Sequence, residues 1–199
     1  MAKIDLKKDL KALYTASAKR AALVDVPKLK CLMIDGVGDP NNSPLFQGAM
    51  EALYGVAYTL KFGLKLDYTV MPAEGLWWAD GEPPFDMANK AAWKWTLLMV
   101  VPDLVTAAMV GEAKKKKDVG RVAEVRLESF REGPAVQILH VGPYAEEGPT
   151  VARLHQFAAE SGYTLAGKHH EIYFSDPRRS KPEKMRTILR QPVKSRTGD

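Results

Sequence analysis

The sequence predicts an α+β fold. Two tandem β-α-β-β modules related by a pseudo-twofold would form an antiparallel sheet, with helices on one face and a ligand groove on the other. Five internal matches predict it. LMIDGVGDP (32–40) answers ILHVGPY (138–144), each an apolar strand running into a Gly/Pro turn. The helical stretch 45–60 answers 149–161, and Tyr58-Thr59 stands 105 positions before Tyr163-Thr164. WTLLMVVP (95–102) answers RTILRQPV (186–193), and Trp77-Trp78-Ala79-Asp80 stands 96 positions before Tyr173-Phe174-Ser175-Asp176. Neither half has the core to be comfortable alone. Module one is expected at about 20–117 and module two at about 121–193, after a lead-in (1–19) and before a tail (194–199).

Each element follows from local pattern. Residues 3–20 carry a thin apolar stripe (Ile4, Leu6, Leu10, Leu13, Tyr14) at helical spacing. Ala22–Val26 and Leu29–Ile34 read as two strands broken at Pro27. Gly36, Gly38 and Pro40 form a turn; without a third glycine or a following Lys-Ser/Thr, GVGDP is a poor phosphate loop. Leu45, Ala49, Leu53 and Ala57 recur at i+4, a helix that lies on a sheet. Strand material follows at 67–71 and 75–78 around Pro72, then a proline-bearing loop and helical turn over 82–92. Trp93–Val101 is apolar and rich in β-formers, a central strand. Residues 103–117 read as a helix whose KKKK end suits the negative end of its dipole. Arg121–Phe130 and Ala135–Val141 read as two strands across the turn REGP. Pro149 opens a helix that Gly162 closes. Gly162–Pro177 is strand-rich, 178–183 is a polar loop, and Met185–Val193 is the closing strand.

Composition narrows the function. The chain has 199 residues, ordinary apolar and charged fractions and a net charge of +5. No apolar run approaches the roughly 20 residues needed to span a bilayer, and the N-terminus lacks a signal-type apolar segment. The expectation is a cytoplasmic protein with no membrane role. The single cysteine, Cys31, lies in an apolar run and reads as a buried thiol. The positive charge is local (114–117, 178–181, 194–196) and comes without a helix-turn-helix or aromatic RNA-binding signature, so nucleic acid is not an expected partner. No cofactor is expected, nor a metal: His169 and His170 point to opposite strand faces, and neither HExxH nor paired cysteines occur. His140, at a strand end, reads as a structural hydrogen-bonding residue.

The candidate site is in GYTLAGKHHEIYFSDP (162–177). Strand alternation puts His169, Glu171 and Tyr173 on one face, and His170, Ile172 and Phe174 on the other. A carboxylate beside an aromatic ring suits cationic or aromatic ligands, although a surface glutamate on a half-exposed strand fits the same pattern. The repeat supplies the facing wall. Glu171 and Tyr173 would look toward Gly75 and Trp77, or toward Glu74 if the register slips by one; both registers stay open. Trp77 is a ligand candidate, while Trp93 and Trp95 read as core or groove wall.

HVGPY (140–144), GYTLAG (162–167), HEIYFSDP (170–177) and TILRQPV (187–193) together resemble the GyrI-like small-molecule-binding domain family. MPAEGLWWAD (71–80) and KWTLLMVVPD (94–103) resemble its stand-alone branch. The resemblance covers roughly 20–193. It implies an aromatic groove whose central glutamate maps to Glu171 and whose neighbouring aromatic maps to Tyr173, with lipophilic cations and other planar hydrophobic compounds as ligands. The ligand-binding set is then Glu171, Tyr173, Trp77, Glu74, Tyr144 and Trp93. Some stand-alone members hydrolyse cyclopropane-bearing alkylating compounds, which would make Glu171 the base for a water and Tyr173 or Tyr144 the proton donor. A gyrase-inhibitor-like interaction role is a third implication. The absence of DNA-binding helices ahead of the domain argues against a transcriptional role.

Overall fold

The computed structural model describes residues 4–81, 90–117 and 120–196. The fold is mixed, with helices set on antiparallel strands, as the sequence predicts. The chain divides into two compact units: Met1–Asp9 with Leu29–Phe130, and Leu10–Lys28 with Arg131–Asp199. No described helix is long and apolar enough to cross a membrane.

Unit 1 contains a four-residue helix α1 (Leu6–Asp9), most of strand β1 (Ala22–Val37), helix α2 (Pro44–Tyr58), strands β2 (Glu74–Trp78) and β3 (Lys94–Val100), and helix α3 (Ala107–Lys116). The central strand is β3, which pairs antiparallel with β1 and β2. Pro44 starts α2, where its missing N–H costs nothing. Ala49, Ala52, Leu53, Val56 and Ala57 are buried, each larger aliphatic contributing about 1.5–3 kcal/mol relative to exposure. The helix ends where Thr59 Oγ1 donates back to the Gly55 carbonyl (2.8 Å) and the chain enters a π-helical turn, Thr59–Gly63. Helix α3 is capped by Thr106, whose side chain accepts from Met109 N.

Unit 2 contains strand β4 (Arg126–Val141) from Arg131 onward, helix α4 (Gly148–Glu160), and strands β5 (Tyr163–Leu165), β6 (His169–Tyr173) and β7 (Arg186–Ser195). The hub is β7, which pairs antiparallel with β4, β5 and β6. Val136, Ile138, Leu189 and Val193 pack with Leu154 and Ala158 of α4 as one buried cluster. The reverse side of these strands carries a polar row, Gln137–Arg190–His170, beside the apolar row Leu139–Ile188–Ile172. Arg190, on β7, donates to Gln137 Oε1 (3.0 and 3.2 Å), to the Leu13 carbonyl (2.6 Å) and to Glu132 (3.3 Å). His170 Nδ1 lies 2.9 Å from the same Glu132 carboxylate. Gln137 in turn donates to the carbonyls of Ala12 and Thr15, so the segment after α1 is held by part-buried hydrogen bonds.

Several expectations are corrected. The proposed helix over 3–20 is reduced to Leu6–Asp9, and Ile4 instead bridges to Tyr68. The segment 22–37 is one strand, not two: its pairing with β3 spans only Cys31–Val37, so Pro27 removes no donor from that ladder. The stretch 126–141 is likewise a single strand. Gly133 absorbs the REGP kink with φ 76°, and pairing with β7 begins just beyond it at Ala135. Of 67–71 only the Tyr68 bridge is strand-like. In the 82–92 segment, the described part is a 3₁₀ turn at Lys90–Ala92, and 82–89 lies outside the described residues.

The face assignment also changes. The sequence reading sets the groove opposite the helices, yet in unit 2 Glu171 stands beside Leu189, which stands beside Ile138. Directly paired residues share a face. Leu189 and Ile138 pack on Leu154 and Ala158, so Glu171 and Tyr173 are on the α4 face. In unit 1, Gly36, Trp95 and Trp77 form one cross-strand row, and Phe46 of α2 packs on both tryptophans.

Candidate functional site

The site of unit 2 is built on β6 next to the start of α4. Its three face-sharing side chains, His169, Glu171 and Tyr173, are spaced two apart on one strand. Glu171 is 9% exposed. Its Oε2 accepts a hydrogen bond from the Tyr173 hydroxyl at 2.9 Å, and its Oε1 lies 3.5 Å from His169 Nε2. Tyr144, in the 3₁₀ turn before α4, meets the Tyr173 ring edge-on with centroids 5.8 Å apart. Burial, then the negative charge of Glu171, the neighbouring Tyr144, the hydrogen bond to Glu171 and the charge of Glu147 push the Tyr173 hydroxyl well above the ordinary phenol range. Tyr173 therefore stays a neutral donor at any physiological pH.

Two groups at this site lay outside the sequence expectation. Glu147, at the N-cap of α4, is buried, and its charge reaches Tyr173. His155, on α4, has its pKa lowered by burial and then by His169, against the opposing effect of a hydrogen bond with Gln191. The available signals were an acid two residues before Pro149 and a histidine adjoining the Val151, Leu154, Ala158 stripe. His140, expected as structural, shares its ring nitrogens between Thr150 Oγ1 (3.0 Å) and the Pro143 carbonyl (3.2 Å), which fixes the loop carrying Tyr144.

The remaining candidates lie in unit 1. Trp77 is 2% exposed, stacked on Phe46 at 5.7 Å and edge-on to Trp93 at 5.5 Å. Trp93 is also buried; the Lys90 ammonium lies 5.5 Å from its ring centroid, and its carbonyl accepts from Gly38 N. Gly75 pairs Leu97 and Trp77 pairs Trp95 on the α2 face, while Glu74, paired with Leu98, is buried on the other face. The structure thus joins Glu171, Tyr173 and Tyr144 in one place and Trp77 with Trp93 in another, and separates Glu74 from Trp77 across β2. Among the described residues no group of three His, Cys, Asp or Glu side chains could hold a metal ion.

The unit 2 arrangement is chemically specific. A carboxylate removed from water favours a cation beside it, because desolvation otherwise penalises its ionised form. Phenol rings at this distance add roughly 0.5–2 kcal/mol per cation–π contact.

A family model for the GyrI-like small molecule binding domain matches residues 22–194. The solved structure of an uncharacterized conserved protein from Listeria innocua is 42% identical, with TM-score 0.88, covering 96% of this chain and all of that one. A solved hydrolase from Listeria innocua is 40% identical, with TM-score 0.85 and the same coverage. The C-terminal domain of EcmrR shares the fold at 15% identity, with TM-score 0.56, over 88% of this chain and 98% of that one. Comparison with curated proteins yields no match.

Proposed function

The chain belongs to the GyrI-like small-molecule-binding domain family, and we propose that it captures flat, hydrophobic, preferentially cationic molecules at Glu171 and so sequesters them. The observation that carries this reading is the buried carboxylate of Glu171, held by Tyr173 at 2.9 Å with Tyr144 against the same ring. Glu171 supplies the counter-charge, and the two phenols supply flat faces. Intrinsic tryptophan fluorescence, titrated with a panel of planar cationic dyes, tests it. Saturable micromolar quenching that Glu171→Gln abolishes is the expected result. Failure of every dye to bind overturns the reading.

A second reading is supported by the 40% identical hydrolase from Listeria innocua. Here Glu171 takes a proton from a water as the water oxygen attacks an electrophilic carbon, and Tyr173 or Tyr144 donates a proton toward the leaving fragment. Cyclopropane-bearing electrophiles are the substrate class to try. Mass spectrometry should show a product heavier by one water, formed by the wild type and not by Glu171→Gln. Dye binding without any such product leaves sequestration as the activity.

A further inference from the structure

Unit 1 carries a second recess, between α2 and the C-terminal end of α3, with a volume of about 940 Å³. That is within the usual size range of small-molecule sites, about 300–1,000 Å³. Its floor is made of residues with little or no side chain, Gly48, Ala52 and Gly55. The aliphatic stems of Arg121 and Lys117 lie close to it: a Cβ on Gly48 would stand 3.4 Å from Arg121 Cδ, and one on Gly55 the same distance from Lys117 Cγ.

Its wall is an aromatic ladder. Tyr54, Tyr58 and Phe62 follow at i, i+4 spacing, with centroids 6.1 and 6.0 Å apart and the second pair almost parallel at 4°. Tyr58 is 47% and Phe62 67% exposed, so flat apolar rings stand open to solvent. A contiguous exposed patch of this kind, rimmed by polar groups, marks a binding surface more often than an accident of packing.

The charge around it has one dominant sign. Lys116, Lys117 and Arg121 line the recess against a single acid, Glu51. Arg121 is occupied by Glu124 and by the carbonyls of Leu45 and Asp35, and Lys116 donates to the Gly63 carbonyl. Among the described residues Lys117 shows no hydrogen-bond or ion-pair partner for its ammonium.

We propose that this recess binds planar aromatic anions, with the ring on Tyr58 and Phe62 and the anionic group on Lys117. The ligand class is an aromatic ring carrying a carboxylate, sulfonate or phosphate. It is opposite in charge to the ligand proposed for Glu171, and the two sites share no residue.

The test compares 8-anilinonaphthalene-1-sulfonate with its uncharged analogue N-phenyl-1-naphthylamine, by fluorescence titration of the full chain with a saturating planar cationic dye present. The sulfonate is expected to bind saturably, at least tenfold tighter than the neutral analogue. Lys117→Glu should weaken it tenfold or more, Phe62→Ala about fivefold, and Glu171→Gln not at all. Raising the salt concentration should weaken the sulfonate and leave the neutral analogue unchanged. Lys117 and Phe62 are exposed, and an unchanged thermal melt by circular dichroism verifies that the variants fold. Equal binding of both probes, indifference to Lys117→Glu, loss of sulfonate binding in Glu171→Gln, or no sulfonate binding at all overturns the proposal. Because the Glu171 reading rests on cationic dyes alone, either site can fail while the other stands.

Discussion

Strands β2 and β6 each pair with the central strand of their own unit, yet on its helix-facing side β2 presents Gly75 and Trp77 where β6 presents Glu171 and Tyr173. The rows across each set of strands show why. In unit 1 the rows are Ile34–Leu97–Gly75 and Gly36–Trp95–Trp77; in unit 2 they are Ile138–Leu189–Glu171 and His140–Thr187–Tyr173. The first row keeps its isoleucine and leucine, and only the last residue changes, from glycine to glutamate. In the second row an indole at the centre is replaced by a threonine. The Trp95 ring closes down on Gly36 so tightly that a Cβ there would be 2.1 Å from it. Thr187 fills far less space beside Tyr173. Across the two rows four of the six positions differ, and the one difference in the first row brings in the carboxylate. Charge follows the same division. Unit 2 buries Glu132, His170 and Arg190 together, whereas the Arg126–Glu128 and Lys115–Glu112 pairs of unit 1 stand largely in water.

The contrast can be broken at several points. The largest effect is expected from Glu132→Ala, which leaves the buried Arg190 guanidinium and the His170 ring without their acid and should cost about 3–5 kcal/mol by urea unfolding. Gly36→Ala, which forces Trp95 aside, should cost about 3 kcal/mol; a loss under about 1 kcal/mol would show that the unit 1 row is not closed. Glu171→Gly gives β6 the residue of β2. It should weaken cationic dyes by about 2 kcal/mol, roughly 30-fold, with little change in stability.

Acid should act on unit 2 through Glu132. Burial alone raises its pKa, but the charge and hydrogen bonds of His170 and then Arg190 outweigh that and hold it below the ordinary 4.5. As pH falls the unfolded chain takes up the proton first. The stability supplied by Glu132 is therefore full above about 4.5 and is lost as pH falls through the lower folded value. Glu132→Gln should abolish this component of the acid dependence in urea midpoints taken at successive pH values. The smallest effect belongs to unit 1. Glu124→Gln removes a solvent-facing partner of Arg121 at 2.6 Å and should cost under about 1 kcal/mol, less at high salt.

Much of this was legible in the chain. The alternation of HHEIY placed Glu171 with Tyr173 and His169, because a strand has a fixed period of two. The i+4 apolar repeat of α2 and the apolar run of β3 were readable for the same reason: burial imposes the period. What escaped depends on tertiary context. Pro27 and Pro134 read as breaks because the sequence does not say which residues pair across a ladder, and both prolines lie just outside the β3- and β7-paired stretches. The side of the sheet on which Glu171 stands was misread because alternation groups residues without naming the face that meets a helix. Lys117 read as one lysine in a solvated run, since the glycine beneath its stem, Gly55, is visible only in three dimensions.

The tie between Leu13 and Arg190 bears on how the protein is made. Unit 2 is not contiguous: residues 10–28 join it from ahead of all but the first nine residues of unit 1. The hydrogen bond between them spans 177 positions, among the longest closures the chain makes. At about 5–20 residues per second, residue 13 waits on the order of 10–40 s of synthesis for its partner, while residues 29–130 of unit 1 are complete well before. Removing residues 10–28 would therefore injure the half of the molecule made last, and a fragment beginning at Leu29 should retain the Trp95 row while Arg190 and Gln137 lose their bonds to Leu13, Ala12 and Thr15.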